Sequence, residues 1–378
     1  MLTHERERSR TLARVLCHPE VLRKQAENGE LRNMRLVCKT FRDAVNVHVT
    51  RLTKEDDEIV TIPTCFPNIQ VLSLARGFQH LVDLSSLPPL TNLRKLIIHS
   101  RELQDISHVS SFTALEDLEL TESLWVITME SSVLEPISAC TKLKRLVLKA
   151  SFVRDLSFIR STIENLDISV TPVQDITALP RCTNLVTLNM RFCMLLEDFS
   201  PLSRCTGLLD LDMSECENVT DMAAISACTK LEKLNMSKCK NVADISHLRT
   251  CANLVELDLS ECSKVTDMAA ISACTKLEKL NMSKCENVVD ISPLSTCSNL
   301  VNLDMSECSK VTDIAALSAC SELKELNMFG CRDVNDISPL SPLPLVELNL
   351  RDTRFATRSK SAFRSVERPF WADFAWDI

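Results

Sequence analysis

Tyrosine is absent from this sequence of 378 residues, and glycine occurs only four times. Gly29, Gly77, Gly207 and Gly330 stand far apart, which excludes a glycine-rich loop of the kind that cradles phosphate. No run approaches the ~20 consecutive apolar residues that span a bilayer, so no membrane partner is expected. A basic excess is missing too. Against 43 lysines and arginines stand 51 acidic residues, a formal net charge of -8, which disfavours nucleic acid as a partner. The opening Met1-Leu2-Thr3-His4-Glu5-Arg6 is charged, and no apolar signal core follows it, so a cytoplasmic or nuclear location is expected. His4, His18, His48, His80, His99, His108 and His247 show no metal-ligand spacing, and none stands in a nucleophile motif with Cys or Ser. Neither a cofactor nor a catalytic residue is expected, and the chain is read as a non-enzyme.

What is abundant is a short apolar motif, Leu-x-x-Leu-x-Leu or Met. Its copies begin at Ile69, Leu93, Leu115, Leu143, Ile163, Leu185, Leu208, Leu231, Leu254, Leu277, Leu300, Leu323 and Leu345. From Leu185 to Leu323 the spacing is a constant 23 residues. A fixed period in this range marks a stacked solenoid, whose units each contact only their neighbours. In one copy Leu254, Leu257 and Leu259 face one way while Val255, Glu256 and Asp258 lie between them, the pattern of a short strand with one apolar side. The remainder of each copy is too short for a long helix and must return the chain through short helical turns or extended segments.

The motif resembles the leucine-rich-repeat family, which places Asn or Cys just after the strand. Here that place holds Cys193, Cys216, Cys239, Cys262, Cys285, Cys308 and Cys331. The outer half, as in Asp290-Ile291-Ser292-Pro293-Leu294, is similar to internalin-type repeats, and the Cys with Val-Thr-Asp to the cysteine-containing class of F-box proteins. The resemblance implies an α/β solenoid: a curved parallel sheet backed by short helical or extended convex segments, with a helical N-terminal cap. The corresponding division is 1–55 for the N-terminal module, 56–353 for the repeats and 354–378 for an aromatic cap or tail.

Residues 211–256 and 257–302 match at 37 of 46 positions, so the recent unit of duplication is a pair of repeats. A second cysteine column, Cys140, Cys182, Cys205, Cys228, Cys251, Cys274, Cys297 and Cys320, precedes each motif by three residues. These spacings suit no zinc site. Small buried thiols at tight corners, each able to meet a backbone carbonyl, are the expected state.

Strand residues turned away from the core would form the concave face, the ligand surface that the family resemblance implies. Two columns there are regular. The fifth positions read Asp212, Asn235, Asp258, Asn281, Asp304 and Asn327, and the eighth Glu215, Lys238, Glu261, Lys284 and Glu307. One reading is a polar recognition strip; the other is a ladder that neutralises itself. Better contact candidates lie where regularity breaks: Arg191 with Phe192, Phe329 in a place held by serine in preceding repeats, and Trp125 in the longer repeat that starts at Leu115. Arginine and aromatic residues dominate interface hot spots.

At the C-terminus Phe363, Phe370, Trp371, Phe374 and Trp376 read as a plug for the end of the core or as a docking tail. Near the N-terminus, Leu36-Val37-Cys38-Lys39-Thr40-Phe41-Arg42 resembles the second half of an F-box, and His18-Pro19-Glu20-Val21-Leu22 its opening element. The stretch between them is about one helical turn shorter than is usual in that family. The resemblance implies that Pro19, Val21, Leu22, Leu36, Val37 and Phe41 face or support a Skp adaptor of a cullin ubiquitin ligase. The chain would then be a substrate receptor that captures a protein on its repeats. A stand-alone interaction scaffold, with the N-terminal helices as a cap, is the alternative.

Overall fold

The computed structural model describes residues 51–54, 68–74, 83–85, 87, 90–100, 103, 105–121, 131–149 and 153–355. The F-box-like residues Pro19, Val21, Leu22, Leu36, Val37 and Phe41, the insertion carrying Trp125, and the aromatic segment beyond Phe355 lie outside them.

Fourteen short strands lie among the described residues, and within each compact unit they run parallel and pair in chain order. The chain divides within residues 153–164 into two compact units. The first holds β1 (Arg51–Lys54), β2 (Val71–Leu74), β3 (Lys95–His99), β4 (Asp117–Thr121) and β5 (Arg145–Lys149). The second holds β6 (Asn165–Asp167), β7 (Thr187–Asn189), β8 (Asp210–Asp212), β9 (Lys233–Asn235) and β10 (Glu256–Asp258). It continues with β11 (Lys279–Asn281), β12 (Asn302–Asp304), β13 (Glu325–Asn327) and β14 (Glu347–Asn349). From β2 onward every strand begins two residues after the first residue of a motif copy. β1 precedes the first motif copy and pairs with β2, Arg51 opposite Val71, so the sheet begins inside residues 1–55.

One repeat of the second unit shows why the sequence folds this way. The first residue is position 1. Leu231, the first residue, closes a tight turn through its N–H to the Cys228 carbonyl at 3.1 Å. Glu232 and Lys233 then both donate to the Leu209 carbonyl of the preceding repeat, at 2.8 and 2.9 Å, which sets the register. Leu231, Leu234, Met236, Cys239, Val242, Ile245, Leu248 and Cys251 are all at most 1% exposed. Burying a large aliphatic side chain contributes about 1.5–3 kcal/mol, so stacking of these positions on their copies holds the array together. After Val242 the Asp244 carboxylate accepts the Ser246 N–H at 2.7 Å. It opens a 3-10 turn, Ser246–Thr250, that returns the chain. The same Asp-to-N–H bond recurs from Asp83 to Asp336.

Between strand and return lies a feature that the sequence hides. Position 8 has a positive φ in successive repeats: Val170, Phe192, Glu215, Lys238, Glu261, Lys284 and Glu307 lie between 57° and 61°, and Gly330 at 72°. Only one of these is glycine. The left-handed conformation costs an L-residue roughly 1–2 kcal/mol, and it persists because the position-8 N–H is tied to the next repeat. Lys238 donates to the Ser260 carbonyl at 2.7 Å and Glu261 to that of Ser283 at 2.8 Å.

Candidate binding surface

The fifth-position column does not face solvent as expected. Asp212, Asn235, Asp258, Asn281 and Asp304 are all no more than 7% exposed. The reason is local: the chain leaves the strand at this residue, and each side chain folds under the next turn. Asp258 Oδ1 accepts the Ser260 N–H at 2.8 Å, and Asn281 Oδ1 that of Ser283 at 3.0 Å. The alternation of Asp and Asn has its own logic. Asn235, Asn281 and Asn327 each donate from Nδ2 to the second oxygen of Asp212, Asp258 and Asp304, at 3.3, 3.2 and 2.9 Å. An unbroken Asp column would set carboxylates face to face in the interior. The column is therefore an internal ladder, and the polar recognition strip is withdrawn at this position.

The exposed columns are largely self-paired. Glu215 takes Lys238 at 3.4 Å and Arg191 at 2.8 Å, and Glu261 takes Lys284 at 3.6 Å. On the strands, Glu256 lies between Lys233 at 3.5 Å and Lys279 at 3.1 Å, and Asn302 donates to Glu325. Pairs at this exposure contribute little stability, but they leave few charges along the face without a partner. Asp210 is the exception. Burial pushes its carboxyl up to about 6; Lys233 opposes the shift while Asp212 and Glu256 add to it. Its Oδ1 is buried without a hydrogen-bond partner.

The fifteen cysteines of the two columns are free and buried. In the post-strand column each thiol donates to a carbonyl of the preceding repeat: Cys239 to Met213, Cys262 to Met236 and Cys285 to Leu259, all at 3.1 Å. Burial pushes the Cys239 and Cys285 thiols up to about 12. Such thiols are neither nucleophiles nor ready metal ligands. Among the described residues no group of three or more His, Cys, Asp or Glu is placed to hold a metal ion.

Against this paired background, four of the six exposed large apolar side chains among the described residues fall between residues 170 and 195, while Val289 and Val346 stand apart from them. Val170 is 59% exposed, Phe192 40%, Met194 39% and Leu195 46%. The first two are consecutive members of the position-8 ridge, linked by the Val170 N–H to the Arg191 carbonyl at 2.8 Å. Two residues beyond Leu195, Glu197 begins the lining of an open groove of about 490 Å³ between successive return turns. Asp198, Phe199, Ser200 and Ser203 form one wall, and Thr220, Asp221, Ala223 and Ala224 the other.

The family model described as leucine-rich repeats (2 copies) matches residues 275–319. Residues 275–319 are leucine-rich repeats, and the chain has the leucine-rich-repeat fold. Its repeats stack like those of an internalin, InlF, from Listeria monocytogenes, at 21% identity and a TM-score of 0.60 over 87% of this chain and 96% of that one. A leucine-rich-repeat protein of Leptospira interrogans gives 16% identity and a TM-score of 0.60, covering 84% of this chain and 88% of the other. The functional domain of InlJ from Listeria monocytogenes, which includes a cysteine ladder, gives 19% identity and a TM-score of 0.56 over 75% and 63%. At these identities the likeness is one of fold. No curated protein sequence matches the chain.

Within the leucine-rich-repeat array the candidate contacts separate. Arg191 is exposed, with Nη2 on Glu215 Oε1 at 2.8 Å, and Phe192 stands beside it on the ridge. Phe329 is half-buried, its N–H bound to Asn327 Oδ1 at 3.1 Å. It follows β13 whereas Arg191 follows β7, so the two do not form one site. Val170, Met194 and Leu195 were not singled out from the sequence. The signal was present: after the post-strand cysteine, Met194-Leu195 stands where the other repeats carry Glu217-Asn218, Lys240-Asn241 and Ser263-Lys264.

Proposed function

We propose that this leucine-rich-repeat array is a protein-binding scaffold that acts by holding a partner rather than by transforming a substrate. The observation that carries this reading is the exposed cluster of Val170, Phe192, Met194 and Leu195, set in an array whose polar columns are occupied with one another. Contiguous exposed apolar side chains mark interaction sites. The buried, protonated thiols and the self-paired carboxylates offer a substrate no activated group.

The finer proposal is a substrate receptor of a Skp–cullin–F-box ubiquitin ligase, working in the cytoplasm or nucleus, with its target held on the repeats. It rests on the F-box-like Leu36-Val37-Cys38-Lys39-Thr40-Phe41-Arg42. The alternative is a stand-alone scaffold. Neither a nucleic acid nor a membrane is proposed as partner, given the net charge of -8. The test is an affinity pull-down from cell extract with the full chain and with a variant lacking residues 1–50. Recovery of the adaptor and cullin with the full chain alone supports the receptor. If neither is recovered and the deletion only lowers stability, the N-terminal segment is a cap and the stand-alone scaffold stands.

A further inference from the structure

We infer that the ridge cluster and the acidic groove beside it receive a partner segment in which large apolar side chains are interspersed with lysine or arginine. The inference rests on the scaffold reading and names the partner's chemistry. Three observations support it. First, the cluster replaces charged residues: the ridge position reads Val170 and Phe192, then Glu215, Lys238, Glu261, Lys284 and Glu307. The apolar surface is therefore local to these repeats and is not a property of the repeat itself.

Second, the backbone here is already engaged. The Phe192 N–H is bound to the Ser214 carbonyl at 2.8 Å and that of Arg191 to Asn189 Oδ1 at 2.9 Å. A partner strand could not pair with these groups, so recognition falls to side chains. Third, the charge of the adjoining groove has one sign. Glu197, Asp198 and Asp221 line it with no Lys or Arg, and among the described residues no ion pair neutralises them. Hydrogen bonds from Ser200 hold the Asp198 carboxyl below the usual carboxylate range, so it stays charged. The nearest cation of the ridge, Arg191, is held by Glu215. Apolar contact supplies the bulk of such an interaction, while uncompensated charge selects the partner and speeds its arrival.

The experiment is to pan a display library of short random peptides against the full chain and to read the composition of the winners. Enrichment of aromatic or aliphatic residues with Lys or Arg is expected. The best synthetic peptide should then lose about tenfold or more in affinity, measured by fluorescence anisotropy, on Phe192→Ser or Leu195→Ser. Glu197→Lys should weaken it further and flatten its salt dependence. All three side chains are on the surface, and an unchanged circular dichroism spectrum and urea midpoint certify each variant. Acidic or neutral winners, or basic ones indifferent to Phe192→Ser, overturn this site while leaving the scaffold reading in place. A library that yields no winner at all counts against both.

Discussion

Replacing Asn281 by Asp exchanges one atom pair in the buried ladder and should be among the costliest isosteric changes in the molecule. Asn281 is 4% exposed and its Nδ2 donates to Asp258 Oδ2 at 3.2 Å. Asn281→Asp keeps the shape and the bond from the Ser283 N–H, but sets a carboxylate oxygen against that of Asp258. The lost charge-assisted bond is worth about 1.5–3 kcal/mol. Two carboxylates one strand spacing apart, ~5 Å, repel by roughly 3 kcal/mol at an effective dielectric of 20. Taking up a proton caps that repulsion, leaving about 3–5 kcal/mol at neutral pH.

The sign of the pH dependence follows from the same geometry. Burial already raises the Asp258 carboxyl above its usual value, and a new neighbour raises it further. A group raised in the folded state contributes stability below its unfolded value and loses it as pH rises through the folded one, so the deficit should be smallest near about pH 4 and complete by about pH 8. The reverse change, Asp258→Asn, keeps an acceptor for both Ser260 and Asn281 and removes a buried charge. It should lie within about 1 kcal/mol of the parent. Urea unfolding followed by circular dichroism across that pH range reads both variants. Equal penalties for the two, or an Asn281→Asp deficit that does not change with pH, would refute the ladder argument.

Asp210→Asn should stabilise the protein by about 1–2 kcal/mol at pH 8, a figure discounted for partial exposure, and by nothing near pH 4. The carboxyl raised to about 6 costs stability only once it ionises, and thermal melts at the two pH values check this. Native thiol labelling with iodoacetamide at pH 8 should leave the fifteen columnar cysteines unmodified until urea unfolds the chain; mass spectrometry showing fast labelling of Cys262 or Cys274 in the native state would contradict their burial. Glu261→Gly should stabilise by about 0.5–1 kcal/mol by relieving the left-handed backbone, and Glu261→Gln should change almost nothing, because the lost Lys284 pair is exposed and weak. Similar urea midpoints for the two variants would show that the ridge carries no strain.

The repeat was legible because its apolar positions recur without exception from Leu185 to Leu323, and thirteen strands start where the motif places them. β1 was missed because Val49-Thr50-Arg51-Leu52-Thr53-Lys54 ends in lysine where the motif needs its third apolar residue. The fifth-position column was misread because strand alternation was carried to the very end of the strand: β8 to β13 are three residues long, Asp212 and Asn235 are the last residues of theirs, and their side chains already bind the turn that follows, at the Ser214 and Ser237 N–H groups. The left-handed ridge had no signal, since Glu and Lys rarely adopt positive φ and only Gly330 hints at it. The ridge cluster could have been read from the sequence alone by comparing columns rather than searching for aromatic residues.

The Asp–Asn ladder also constrains how such a chain can change length over generations. The 46-residue copies are similar enough for their coding segments to misalign when chromosomes recombine. A slip of one repeat would bring Asp212 directly against Asp258, two buried acceptors with no donor between them. A slip of two brings Asp212 against Asn281 and restores the bond. Loss of a single Asn repeat inherits that fault, whereas loss of a single Asp repeat sets Asn against Asn, a pairing already present where Asn349 Nδ2 donates to Asn327 Oδ1 at 2.9 Å, so surviving length variants of this array should carry adjacent Asn but not adjacent Asp in this column.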